Sequence, residues 1–372
     1  MGKPIRILHM IGSLNVGGSQ IAILNLYKKI DRNKVQFDFI VDHPNEDLLK
    51  KDIENMGGRI YCMPRFRIFN YFKVKKAWKD FFKQHREYCV LHSHVRSYAT
   101  IFLKIAKKSG LKTIIHCHST SNGKGLTSIF KHFMQLPLKR ICDYLMSCSL
   151  KAGIWLYGKR AVKKKNFFVL NNSIEISKFK YNEKLRTSYR LSLNIKESDK
   201  VFIHIGRLHA SKNHTFLIDS FYDYYLTNKE SHLFIVGDGS LRNKIESKIK
   251  FLKMDDNIHM LGNREDVSEL LNMADCFLFP SKWEGFPLTV VEAQASGLPC
   301  LVSNKITSEV KISDHLFFLP INKSPKIWAN KMQGLNFKRY DNTKRIIESG
   351  FDINATAKWL QDFYLKIAQN NS

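Results

Sequence analysis

The sequence predicts an α/β protein made of two Rossmann-like, doubly wound domains. Three observations carry this. Short apolar runs alternate with helix-length stretches, and the alternation occurs twice. A polar, turn-rich segment from Asn171 to Phe179 separates the two series. The chain has 372 residues, a length that suits two domains better than one.

In the first series the strands are Ile5–Met10, Phe37–Val41, Cys89–His92, Thr113–His116, Tyr144–Cys148 and Phe167–Leu170. Near-continuous apolar runs of this kind suit parallel strands covered on both faces. Helical stretches such as Ser19–Ile30 and Tyr98–Lys108 lie between them. The second series has Val201–Ile205, His232–Val236, Ile258–Leu261, Cys276–Phe279, Cys300–Val302 and Leu316–Phe318. Leu288 to Ser296 reads as a helix stopped by Gly297 and Pro299. Asn354 to Gln369 reads as an amphipathic helix. The predicted bounds are 1–172 for the first domain, 173–352 for the second and 353–372 for a terminal helix.

Composition is ordinary, with 44% hydrophobic and 25% charged residues. Charge is not. Residues 1–172 hold 32 Lys+Arg against 10 Asp+Glu, a net of +22 out of the chain's +27. Such asymmetry points to an anionic partner for the first half, whether a membrane surface, a nucleic acid or a phosphorylated acceptor. The seven cysteines include no Cys-x-x-Cys pair, and several sit in apolar runs, so a reduced cytosolic setting is expected. The chain opens directly on a strand rather than on a secretory signal, and no run of 18 apolar residues occurs.

The most informative stretch runs from Phe279 to Ala293. Glu284 and Glu292 stand eight positions apart around Gly285 and Pro287. The flanking elements put Glu284 in a strand-to-helix loop and Glu292 about one turn into the helix. Both then face the carboxyl edge of the sheet, where open α/β folds hold ligands. The amides near Phe286, Pro287, Leu288 and Thr289 sit at the helix start and suit an anion.

This stretch resembles the Glu-x7-Glu motif of retaining GT-B glycosyltransferases (group 1, family 4), including those of bacterial capsule and exopolysaccharide synthesis. Four further motifs match in order. Gly17-Gly18-Ser19-Gln20 resembles the family's first glycine loop. Val201 to Leu208, followed by Lys212 and Asn213, resembles its Gly-Arg…Lys-Asn pattern. Leu233 to Gly239 resembles its next strand and glycine turn, containing Gly237. Arg264 and Glu265 align with its base-binding turn. The likeness covers nearly the whole chain and is weakest at residues 60–90 and 120–165.

The resemblance implies a nucleotide-sugar transferase whose two domains face a cleft, with the last helix crossing back to the first domain. Arg207 and Lys212 would hold the departing diphosphate, Arg by a planar fork and Lys by a compact charge. Glu292 would accept from the ribose hydroxyls, and Glu284 would hold a donor-sugar hydroxyl. His118, after the strand ending at His116, would contact the sugar or the acceptor. Gly17 and Gly18 would let the backbone approach the donor. The implied donor is a UDP-sugar, the acceptor a glycan or lipid-linked glycan, and no metal or other cofactor is needed. Ser173 stands where the family's linker usually has Gly, so a different local backbone is expected there.

Two His-x-His pairs, His92/His94 and His116/His118, each put both rings on one strand face. That raises a zinc site, but no partner motif in the sequence supports it. Cations interleaved with aromatics from Arg65 to Lys79, and again from Phe130 to Lys165, fit docking on an anionic membrane face. Trp78, Phe81 and Phe82 are expected to pack on the sheet. A nucleotide-sugar epimerase shares the architecture and is the nearest alternative. A basic nucleic-acid-binding protein is more remote, since no helix-turn-helix, zinc-finger or RNP signature occurs. The expected location is cytoplasmic, peripheral on the inner membrane face.

Overall fold

The computed structural model describes residues 3–14, 18–42, 49–119 and 126–369. The chain divides into two units. Unit 1 comprises residues 1–173 with 353–372, and unit 2 comprises residues 174–352.

Unit 1 holds a parallel sheet of seven strands. They are β1 (Ile5–Gly12), β2 (Val35–Val41), β3 (Ile60–Cys62), β4 (Val90–Ser93), β5 (Lys112–Cys117), β6 (Tyr144–Ser147) and β7 (Phe167–Val169). Their order is β3-β2-β1-β4-β5-β6-β7, the doubly wound pattern that reverses beside β1. β2 and β4 are buried throughout and β1 from Ile7 to Ile11, because helices cover both sheet faces. β3 is the strand the sequence reading missed. It has three residues at the sheet edge, none of them buried, so it lacks the apolar run that marks the others.

The helix Ile353–Gln369 joins unit 1, although it follows unit 2 in the chain. Its Leu360, Phe363, Tyr364 and Ile367 share a core with Tyr27, Phe37 and Phe39. Ser173 anchors the return, since its hydroxyl lies 2.7 Å from that of Thr356. Ser173 is not among the residues with positive φ, so this position makes no demand for glycine. On the opposite side of the sheet Trp78 is fully buried and stacks on Phe102, with Phe81 and Phe82 around it. These rings do pack inward, as their helical spacing predicts.

Unit 2 holds a parallel sheet of six strands: β8 (Lys200–Ile205), β9 (Ser231–Val236), β10 (Ile258–Gly262), β11 (Cys276–Phe279), β12 (Cys300–Ser303) and β13 (Leu316–Leu319). The order β10-β9-β8-β11-β12-β13 again reverses beside its first strand. One sheet face packs on Leu270, Val290 and Ala293, the other on Leu217, Phe221 and Trp328. A buried ionic knot fixes β11. Arg186 and Arg190, from the helix Glu183–Ser192, reach the two carboxylate oxygens of Asp275 at 2.8 and 2.7 Å. The Val201 amide donates to the same carboxylate at 2.8 Å, so Asp275 ties that helix to β8 as well.

Candidate functional site

The loops after β8 and β11 are neighbours because their strands pair in parallel. The Lys282 amide donates to the Ser211 carbonyl at 2.7 Å and ties one loop to the other. That tie brings two predicted residues together. Lys212 Nζ lies 2.8 Å from Glu284 Oε1, with both side chains mostly covered. Lys212 also sits over the Phe279 ring at 4.5 Å, a cation–π contact. Gly206 leaves room for its stem, since a Cβ there would come within 2.8 Å of Lys212 Cε. Lys212 closes the short 3-10 turn Ala210–Lys212, and Asn213 takes the left-handed conformation (φ 59°) to start the next helix.

Arg207 follows β8 and is exposed. Among the described residues no carboxylate pairs with it, so its five donors remain for an anion. Lys212 differs, because any incoming anion would have to compete with Glu284 for its charge.

Glu292 is the fifth residue of the helix Leu288–Ala295. Among the described residues its carboxyl receives no hydrogen bond or ion pair. Burial pushes its pKa from 4.5 up to about 7. Ligand hydroxyls donating to the carboxylate would lower it again. Pro287 caps the helix, and the first-turn amides of Leu288 and Thr289 have no acceptor within it. Among the described residues the buried Thr289 hydroxyl has no partner. Phe286 stacks on Phe351 with centroids 5.2 Å apart, and both Phe286 and Leu288 pack into the core around Val291. Both side chains are partly buried in that packing.

Gly237 is demanded by the fold itself. Its φ is +124°, and a Cβ would strike the Gly206 carbonyl where β8 and β9 end. Its amide is spent on the Gly262 carbonyl at 2.7 Å. Arg264 turns its guanidinium onto Asp266 at 2.7 and 2.5 Å, and Tyr189 donates to that carboxylate at 2.9 Å. The Arg264 guanidinium holds the Asp266 pKa down at about 2. Gly17 lies outside the described residues. Gly18 opens the helix Gly18–Lys29, and a Cβ there would meet open space.

In unit 1, His118 is one of five neighbouring histidines. Its Nε2 lies 2.8 Å from His94 Nδ1, and His94 Nε2 lies 3.1 Å from His9 Nδ1. His92 Nδ1 lies 2.6 Å from the Tyr364 hydroxyl. Burial lowers the pKa of all five, that of His118 to about 3, so the rings are neutral at pH 7. Sequence reasoning noticed the two His-x-His pairs but not His9. The missed signal was placement: all three lie at the carboxyl ends of strands that prove adjacent.

Unit 1 also has a cavity of about 620 Å³ at the carboxyl ends of β1, β2 and β4. Gly12, Asp42, Arg65, Phe66, Tyr98 and Phe130 are among its lining residues. Ile68 also lines it, and Ile68, Phe69 and Phe72 are exposed by 72, 82 and 81%.

Residues 185–349, nearly all of unit 2, match the family model of glycosyl transferases group 1. EpsF of Bacillus subtilis (strain 168), named as a glycosyltransferase, is 29% identical over 87% of this chain and 86% of its own. The Escherichia coli UDP-Gal:alpha-D-GlcNAc-diphosphoundecaprenol alpha-1,3-galactosyltransferase is 25% identical over 76% of this chain and 77% of its own. The capsular polysaccharide biosynthesis glycosyltransferase CapH of Staphylococcus aureus is 24% identical over 97% and 99%. Among solved structures, Anabaena Alr3699/HepE with UDP and glucose superposes with a TM-score of 0.75 at 16% identity, covering 97% of this chain and 100% of that one. The epimerase alternative finds no support among these relatives. Unit 2 is a glycosyl transferases group 1 domain, and the chain is a glycosyltransferase of the GT-B architecture.

Proposed function

We propose that this enzyme moves a sugar from UDP-sugar to a hydroxyl of a lipid-linked glycan during synthesis of a bacterial surface polysaccharide, capsule or exopolysaccharide. One observation carries the donor half. Arg207 and Lys212 follow β8, Glu284 and Glu292 follow its parallel neighbour β11, and Lys212 meets Glu284, so all four belong to the carboxyl edge of one sheet. Two cations answer the charge that builds on a departing diphosphate, and two carboxylates accept from hydroxyls of ribose and sugar. UDP as the carrier is supported by the galactosyltransferase relative and by the ligand of the HepE structure. Retention of anomeric configuration and independence from divalent metal follow from the Glu-x7-Glu resemblance.

The acceptor half rests on unit 1. The net charge of +22 on residues 1–172, the cavity at the strand ends and the exposed Ile68, Phe69 and Phe72 suit an anionic, lipid-anchored acceptor at a membrane surface. Among the described residues no helix is long and apolar enough to cross a membrane, so docking would be peripheral. We place the enzyme on the cytoplasmic face.

A thermal-shift panel of nucleotide sugars tests the donor assignment. UDP and one UDP-sugar should raise Tm in proportion to ln(1 + [L]/Kd), while ADP and GDP sugars do not. No shift with any UDP compound would overturn it. Liposome sedimentation tests the surface. Binding should require anionic lipid, weaken in high salt and fall on charge reversal at Lys73, Lys75, Lys76 and Lys79. Equal binding to neutral vesicles would refute the electrostatic reading.

A further inference from the structure

β1, β4 and β5 lie side by side, and His9 sits opposite His92 in the ladder. The two-residue spacing of His92/His94 and His116/His118 keeps both pairs on that same face. Five rings therefore pile together. Centroids are 4.4 Å apart for His92 and His94, 5.3 Å for His94 and His116, and 4.0 Å for His116 and His118. A buried histidine with a purely structural task has its nitrogens hydrogen-bonded. Here, among the described residues, His9 Nε2, His92 Nε2, both nitrogens of His116 and His118 Nδ1 are buried without partners. They surround a cavity of about 10 Å³, room for one small ion or water.

Two trios bring one nitrogen from each ring within 4.8 Å of one another: His9/His92/His94 and His94/His116/His118. The second trio is the better ligand set. His94 and His118 are partly open, which allows an ion to enter and leaves a fourth position for water. His94 is also oriented for it. A metal-ligating imidazole usually donates its other N–H to a neighbour, and His94 Nε2 has His9 Nδ1 at 3.1 Å, leaving Nδ1 for the metal. Two nitrogens on a tetrahedral ion with bonds of about 2.0–2.1 Å stand about 3.3 Å apart. The 2.8 Å between His94 Nδ1 and His118 Nε2 must open by about half an ångström, a small ring rotation.

We propose that His94, His116 and His118 form a three-histidine site for a zinc-class divalent cation, with water as fourth ligand. The site lies in unit 1 and is independent of the donor chemistry proposed for unit 2.

The test uses the full chain, free of any histidine tag, stripped with chelator and dialysed against Zn²⁺ or Co²⁺. The wild type should retain one Zn²⁺ per chain and show the intense visible absorption of tetrahedral Co²⁺. His116→Phe keeps the ring volume and removes no hydrogen bond formed in the fold. It should bind Zn²⁺ at least tenfold more weakly, whereas His92→Phe, altered only in the inner trio, should bind within about threefold of wild type. Far-UV circular dichroism confirms that each variant is folded. Failure of the wild type to hold Zn²⁺, octahedral Co²⁺ spectra, or loss in His92→Phe with retention in His116→Phe would overturn the assignment. UDP thermal shifts measured on the same samples report the donor site separately.

Discussion

Replacing Glu292 by Gln should make the protein more stable and its donor binding worse. The carboxyl has no partner among the described residues, and burial raises its pKa from 4.5 to about 7. Between those values the native state binds more protons than the unfolded chain, so stability falls as pH rises through this window. The full shift corresponds to about 3.4 kcal/mol. Solvent reaching the partly open side chain lowers that figure, and about 2 kcal/mol is the expected gain at pH 8. For a unit of this size it appears as a rise of about 4–8 °C in Tm. The gain should shrink towards zero below pH 4.5, where the wild-type carboxyl becomes protonated in both states. UDP affinity should move the other way. Ribose hydroxyls donating to a carboxylate contribute about 1.5–3 kcal/mol per bond, so the variant should bind UDP at least tenfold more weakly at pH 8. Thermal scans at pH 5 and 8, with and without UDP, measure all of this. A variant less stable than wild type at pH 8, or one with the same offset at both pH values, would refute the reasoning.

Arg207→Ala and Lys212→Ala should each lower kcat by about 10²–10³-fold with the fold intact, the cost of losing one preorganised donor to a developing charge. Wild-type turnover in either variant excludes that residue from the diphosphate site. Turnover should persist in EDTA, because Arg207 and Lys212 supply the balancing charge; loss on chelation with rescue by Mn²⁺ or Mg²⁺ would contradict a metal-independent mechanism. Asp275→Ala strands the buried charges of Arg186 and Arg190, and about 3–5 kcal/mol of stability should be lost. A Tm drop of less than 2 °C would show that these guanidinium groups find other partners.

What the sequence made legible, and what it hid, divides along the range of the interactions. The strands of both sheets were readable because parallel strands covered on two faces must be apolar throughout. β3 escaped because an edge strand of three residues has no such requirement. Glu284 and Glu292 could be placed on loop and helix from local signals alone. That Glu284 meets Lys212 could not, since the contact depends on pairing of β8 with β11 across 72 positions of chain. The glycines show the same limit. Gly237 and Gly18 look alike as glycine-turn signals, yet the first is demanded by the Gly206 carbonyl pressing on it and the second faces open space. The histidines show it most clearly. Each His-x-His pair is local and by itself gives weak support for a site. Only the strand order β1-β4-β5 adds His9 and sets the two pairs against each other, and strand order is a property of the folded sheet rather than of any stretch within it.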